Sequence, residues 1–251
     1  MHITRIGLAA LKGARHTTLQ HVDLDPTGPR GDRVLCLVDA DRDRVVRTVE
    51  NPRMVLVTAT WDGTTLTVAT PDGASATGAP TPTGEVITCD YWSRDADLEL
   101  LESPHTELLG AHLGRPVRLA RPVRAGEVVY GGCVTLVTTG ALRGLTEQQD
   151  ERFRATFTLE ADEDPEPGTL LRLGSAAVVQ VRARVPRCRV VDVNPRTGRL
   201  DTTHLRTLAR RGHPEGEVPF GVDAEVVVPG RVVTGDEVRV TSGQPASVVP
   251  S

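Results

Sequence analysis

Short apolar runs, many of them rich in valine and closed off by glycine or proline, set the rhythm of this chain. Residues 3–12 read as a strand running into a loop. A turn over residues 26–31 leads into a strand near 33–38, residues 39–43 turn the chain, and 45–48 return it as a hairpin partner. MVLVTATWDGTTLTVATPDG predicts another hairpin about Asp62-Gly63, with Leu66 and Val68 alternating with threonine. This region has the pattern of a small antiparallel sheet or barrel. Residues 73–85 are small, polar and rich in Gly and Pro, which predicts either an exposed loop or a boundary between two subdomains.

ITCDYW opens the second region as a strand. Residues 94–113 are expected to be helical in part, with Ser103 and Pro104 as cap and first-turn proline and Leu108, Leu109 and Leu113 on the apolar face. Residues 134–137 read as strand, with Thr138 or Thr139 capping a helix that carries Leu142 and Leu145. Residues 151–159 read as extended. Residues 170–188 give a strand, a Gly-Ser turn and an alternating strand with Val179, Val181, Ala183 and Val185 on one face. That strand ends at Pro186, Arg187 and Cys188. VVDV is expected as a second strand, residues 202–212 as a short helix with Leu205 and Leu208 inward, and the end as three brief β segments.

Composition agrees with a mainly β protein. Aromatics are 3% and the apolar fraction is 39%, so Val, Leu and Ala must build the core. The chain holds 24 glycines and 18 prolines, which argues against a helical bundle or a doubly wound parallel sheet. A net charge of -4 gives no support for nonspecific nucleic-acid binding. No apolar run approaches the roughly 18 to 20 residues of a transmembrane segment, and the start lacks a secretory pattern. Cys36, Cys89, Cys133 and Cys188 are widely spaced, so no disulfide framework or zinc knuckle is expected and a reducing cytoplasm is the default.

Few groups stand out as chemistry. Cys188 lies between Arg187 and Arg189 at the end of a strong β run. It is either a thiol that nearby guanidinium groups favour as thiolate, or a half-buried cysteine beside solvated arginines. Cys36 and Cys89 read as small buried hydrophobes, and Cys133 as a packed strand residue or a loop residue near a pocket. Lys12, the sole lysine, ends a strand with Gly13, and Arg33 follows a Gly-Asp turn. Arg152 and Arg154 flank Phe153; in an extended chain both would share one face, as a fork for phosphate or another oxyanion or as solvated edge arginines. His16, His21, His105, His112, His204 and His213 show no metal-ligand spacing. EADEDPE reads as a solvated loop rather than a calcium site.

The order of several segments carries the argument further. GDRVLCLVDADRDRVVRTVENPRMVLVTAT, LGRPVRL, VTTGALRGL, RFRATFTL, VPRCRVVDVNPRTG, HLRTLARRG and FGVDAEVVVPGRVVTGDEVRV together resemble the MOSC family, named after the C-terminal domain of molybdenum-cofactor sulfurase. The first of them is similar to the N-terminal β-barrel domain that precedes that module. The resemblance implies a MOSC β-barrel with short helices packed against a smaller N-terminal β-barrel-like domain, divided as 1–85 and 86–243 with a flexible tail at 244–251. It also implies a molybdenum cofactor, molybdopterin with Mo, between the two, and Cys188 as the metal ligand. Lys12, Gly13, Arg33, Thr138, Thr139, Arg152, Arg154, Thr156 and Arg187 would contact the cofactor. The chain departs from the family pattern at Thr156 (usually asparagine), Val185 (often cysteine) and Thr135 (commonly histidine), and its segment after the RFR strand is short.

Four functions follow from the resemblance. The first is an oxidoreductase acting on N-hydroxylated or other N–O compounds, similar to amidoxime-reducing molybdoenzymes. It would need a small-molecule substrate and an external electron-transfer protein or reductase, because the chain has no iron–sulfur cysteine cluster. The others are a sulfur carrier with a Cys188 persulfide, a repurposed pathway-specific enzyme, and a noncatalytic cofactor-storage module.

Overall fold

Two β assemblies share the chain in the computed structural model, which describes residues 1–146, 149–211 and 217–241. The first is a closed five-stranded barrel. Thr81–Asp90, Asp95–Glu102, Val117–Pro122, Cys36–Asp39 and Arg44–Val45 follow one another around it, and a parallel pairing of Asp90 with Arg44 closes it. Its buried residues include Cys36, Val38, Val45, Cys89, Ala96, Leu98 and Ala120. Mostly small side chains fill so narrow a barrel, with Tyr91 the one ring among them. The hairpin of Thr58–Trp61 with Leu66–Ala69 and the helix His105–Leu113 pack outside it, around Leu66, Val68, Leu109 and Leu119.

The second assembly is an eight-stranded sheet. Its order is Val238–Thr241, Leu170–Leu173, Ala177–Pro186, Pro219–Val228, Val134–Thr138, Phe157–Glu160, His2–Leu8 and Thr17–Leu19. The first strand of the chain therefore lies among strands from its second half, and His21–Asp25 likewise pairs with Gly230–Val233. Ile3, Ile6, Leu136, Phe157, Val179 and Val222 bury the inner face. The three α-helices are short, and no helix among the described residues is long and apolar enough to cross a membrane.

Several local expectations change. Residues 73–85 are not a linker: they form Ser75–Gly78 and the first half of Thr81–Asp90, whose exposed Thr, Pro and Gly side chains disguise the strand. A division at residue 85 falls inside that strand, and the barrel draws on residues up to Pro122. Residues 95–102 are strand rather than helix, with Ala96, Leu98 and Leu100 buried at every second position. The helix after them begins at His105 with Pro104 as its cap residue, one position later than a Ser103 cap would set it. Residues 150–153 form a 3-10 turn instead of extended chain, and Arg154 ends it with φ of 52°. VVDV is part of another 3-10 turn, Arg189–Asp192. Ala183 is exposed, because the pairing register shifts between Val181 and Ala183. The expected tail at 244–251 and His213 lie outside the described residues.

Candidate functional site

The barrel wall of the site is built by backbone docking. Residues 9–12 run beside 33–35 through Arg33 N to Ala9 O (2.8 Å), Leu35 N to Ala10 O (3.1 Å) and Lys12 N to Leu35 O (2.8 Å). Asp32 locks the junction: its carboxylate accepts the Ala9 N–H at 3.0 Å and pairs with the Arg33 guanidinium. Lys12 and Arg33 thereby come from separate loops to one surface. The Lys12 ammonium donates to Tyr91 Oη at 2.9 Å and lies 4.5 Å from that ring's centroid. Burial, reinforced by the Arg33 and Arg154 charges, holds the Lys12 pKa down at about 7. Burial pushes the Tyr91 hydroxyl up to about 12.

The opposite wall is the end of the Ala177–Pro186 strand. There Arg187 is clamped by main chain: its Nε donates to Phe220 O at 2.7 Å and another guanidinium N–H to Phe153 O at 2.8 Å. Its guanidinium carbon lies 5.7 Å from the Phe153 ring centroid. The remaining terminal nitrogen is buried and has no hydrogen-bond partner among the described residues. Burial lowers the Arg187 pKa to about 10. Cys188 follows in extended conformation (φ -117°, ψ 177°), with an exposed side chain. Its carbonyl accepts Val191 N at 3.2 Å, opening the turn whose Asp192 accepts the Leu205 N–H at 3.1 Å. Val191, Leu208, Phe153 and Phe220 form a small core beneath.

Between the walls lies a cleft of about 300 Å³. Lys12, Arg33, Arg47, Arg152, Arg154 and Arg187 line it with Cys188, and no carboxylate among the described residues does. Arg152 is fixed by Gln149 Oε1 (3.0 Å) and Asp201 (2.9 Å), and Arg47 by Asp90 and Glu50. Arg154 makes no side-chain hydrogen bond or ion pair among the described residues, and burial lowers its pKa to about 10. The two RFR arginines reach the cleft from a tight turn, not from alternate positions of a strand.

The other expected contacts lie elsewhere. Gly13 turns the chain with φ of 88°, against Thr48 and Met54. Thr138 caps the helix Thr139–Arg143, accepting Ala141 N at 3.3 Å, and donates through N and Oγ1 to Asp164. Thr139 donates to Ala161 O. The acidic loop is thus partly drawn inward, and burial raises the Asp164 pKa. Thr156 sits behind Thr135, which does line the cleft. Each threonine's backbone N–H donates to the other's hydroxyl, at 3.1 and 3.0 Å. Arg47, Tyr91, Trp92 and Tyr130 line the cleft without having been singled out. Adjacent tyrosine and tryptophan in a chain with so few rings were the available signal.

An anion with a soft-metal centre fits this donor set. The orphaned Arg187 N–H and the absence of a lining carboxylate suit phosphate or oxo oxygens. No group of three or more His, Cys, Asp or Glu side chains among the described residues could hold a metal ion. A metal here would take Cys188 from the protein and its other donors from a cofactor.

The family model of the MOSC domain matches residues 138–239, and that of the MOSC N-terminal beta barrel domain matches residues 3–99. Among solved structures, the chain resembles the YUAD protein from Bacillus subtilis at 13% identity, covering 97% of this chain and 96% of that one with a TM-score of 0.46. A second structure, titled only as a hypothetical protein, is 10% identical over 97% of this chain and 69% of the other, with a TM-score of 0.43. No curated protein matches the chain. The two domain matches, in this order along one chain, place the protein in the MOSC family, whose members are associated with molybdenum-cofactor and sulfur-related chemistry.

Proposed function

We propose that this chain is a molybdenum-cofactor-binding oxidoreductase that reduces N-hydroxylated or other N–O compounds, with Cys188 as the protein's one ligand to the metal. The observation that carries this reading is the cleft itself: among the described residues, six basic side chains, no carboxylate, and one exposed thiol line it. When bound, the cofactor would supply the two-electron chemistry at a metal held by soft and oxo ligands.

The chain's own residues do the rest. Arg33, Arg154 and Arg187 hold oxyanion groups of the cofactor by charge and N–H donation, as Lys12 does while protonated. The clamp of Arg187 on two carbonyls fixes the backbone before Cys188, so the sulfur is presented without a search through conformations. Lys12 Nζ, with a pKa of about 7, can hold or release a proton near neutrality. Reduction of R–NHOH breaks the N–O bond, consumes two electrons and two protons, and gives R–NH2 and water. The electrons would come from an external electron-transfer protein or reductase.

The test supplies reduced viologen and acetohydroxamate to protein made in a cofactor-competent host. Acetamide and oxidised viologen should accumulate at one acetamide per two electrons, and Cys188→Ala should fall to the uncatalysed background. Equal turnover by Cys188→Ala, or none from molybdenum-replete wild type, would refute the reading. The exposure of Cys188 also favours a second reading, a persulfide carrier that must offer its sulfur to an acceptor. Metal-free protein that releases thiocyanate with cyanide, through Cys188, would favour that reading instead.

A further inference from the structure

A chain with two Trp, two Tyr and three Phe has few rings to place, yet Trp92, both tyrosines and Phe153 line this one cleft. Two of the four are accounted for by the protein. Phe153 is buried against Phe220 with ring centroids 4.3 Å apart, and Tyr91 is buried with Lys12 on its hydroxyl. Trp92 and Tyr130 are not covered: they are 38% and 48% exposed, and they meet edge to face with centroids 6.4 Å apart. Trp92 comes from the turn after the barrel strand Thr81–Asp90, and Tyr130 from the segment leading into the sheet strand Val134–Thr138. The pair therefore bridges the two walls.

Both rings are held in place. Trp92 and Ser93 have φ of 55° and 62°, a conformation that L side chains adopt reluctantly. The turn is closed by Tyr91 N to Arg94 O at 2.7 Å and by Ser93 N to Asp90 Oδ1 at 2.9 Å. The Arg47 guanidinium lies 4.7 Å from the Trp92 centroid while it pairs with Asp90. Arg94, in the same turn, donates to Val129 O at 2.8 Å and so fastens the Tyr130 segment to the Trp92 turn. Beyond Tyr130, Gly132 N donates to Asp223 Oδ2 at 2.8 Å. A Cβ at Gly132 would fall 2.7 Å from Ala224 O, so this close seating needs glycine. Two exposed rings fixed by a cross-strut, at the mouth of a cationic cleft, are arranged as a preformed surface for a flat ligand.

We propose that Trp92 and Tyr130 form a substrate subsite that selects planar aryl compounds over alkyl ones, the ligand's polar N–O head pointing inward to the cations. The inference deepens the N–O reading and rests on it for the nature of that head group. The pterin ring of a cofactor is another planar π system, so the experiment must tell the two apart.

Calorimetric titration of the full chain with benzohydroxamate and acetohydroxamate compares one head group with and without a ring. Benzohydroxamate should bind roughly tenfold more tightly, the scale of one well-placed ring contact. Trp92→Leu and Tyr130→Leu should each reduce that ratio to about twofold or less, with acetohydroxamate affinity and melting temperature unchanged. In a Trp61→Phe background, where Trp92 is the sole tryptophan, benzohydroxamate should quench fluorescence saturably. A wild-type ratio near one, or a ratio unmoved in both leucine variants, would overturn the subsite. So would binding of 6-carboxypterin that both leucine variants lose, since the rings would then serve the cofactor. Molybdenum content of the same preparations scores the parent reading separately. Metal-bearing protein without aryl preference loses only the subsite; metal-free protein with that preference keeps it and loses the N–O reading.

Discussion

The two walls of the cleft are both cationic, but they hold their charge differently. On the barrel wall, Arg33 is paired with Asp32, and Arg47 with Asp90 and Glu50. On the sheet wall, Arg152 is likewise paired with Asp201, but Arg187 has carbonyl oxygens for partners and keeps a buried N–H without a hydrogen-bond partner among the described residues. A guanidinium paired with its own carboxylate offers a ligand a weakened charge, whereas one clamped by neutral dipoles retains it. The sheet wall also carries the thiol. The sheet wall thus joins the thiol to a guanidinium without a carboxylate partner, while Lys12 and the carboxylate-paired Arg33 add to anion binding from the barrel wall.

The sharpest way to break this contrast is to remove one clamped and one paired arginine. Arg187→Ala deletes two charge-assisted hydrogen bonds and strands two carbonyls, a loss of about 3 kcal/mol. In a chain of this size that is roughly a 6 to 12 °C fall in melting temperature. Phosphate affinity should fall with it, and Arg187→Lys should restore only part of either. Arg47→Ala breaks partly exposed pairs and should cost under about 1 kcal/mol. Equal losses in calorimetric melting for the two variants would erase the distinction.

Lys12 offers a finer test, because it is the sole lysine and belongs to the barrel wall. A pKa lowered to about 7 leaves the ammonium charged below that pH and neutral above it. Its contribution to anion binding is therefore present in mild acid and lost as pH rises through 7. Acylation of Lys12, resolved from the N-terminus by peptide mass, should rise with a midpoint near pH 7. Saturating phosphate should move that midpoint upward. A midpoint near the ordinary lysine value of about 10 would remove the desolvated lysine from the account.

How much of this was written in the sequence depends on which physical rule governed each residue. Strands with buried alternate positions, such as Ala177–Pro186, could be read directly, and so could the delivery of Arg187 and Cys188 at their end. Only the second half of Thr81–Asp90 could, as part of ITCDYW; residues 81–86 could not, because their side chains are exposed and mostly Thr, Pro and Gly. Arg152 and Arg154 reach the cleft for a reason that alternation could not supply, a turn closed by a left-handed Arg154. Thr138 and Thr139 look available in sequence, but a loop more than twenty residues away claims their hydroxyls. Thr135 and Thr156 are two departures from the family pattern that turn out to satisfy each other. Long-range pairing of that kind leaves no local signal.

The central claim is tested most directly by molybdenum and pterin content. Protein from a cofactor-competent host should carry close to one molybdenum per chain, and Cys188→Ala should lose it while keeping the circular dichroism and melting temperature of cofactor-free wild type, since the side chain is exposed. Well-folded wild type without molybdenum or pterin, or a Cys188→Ala variant that retains both, would contradict the assignment of this thiol as the metal's ligand.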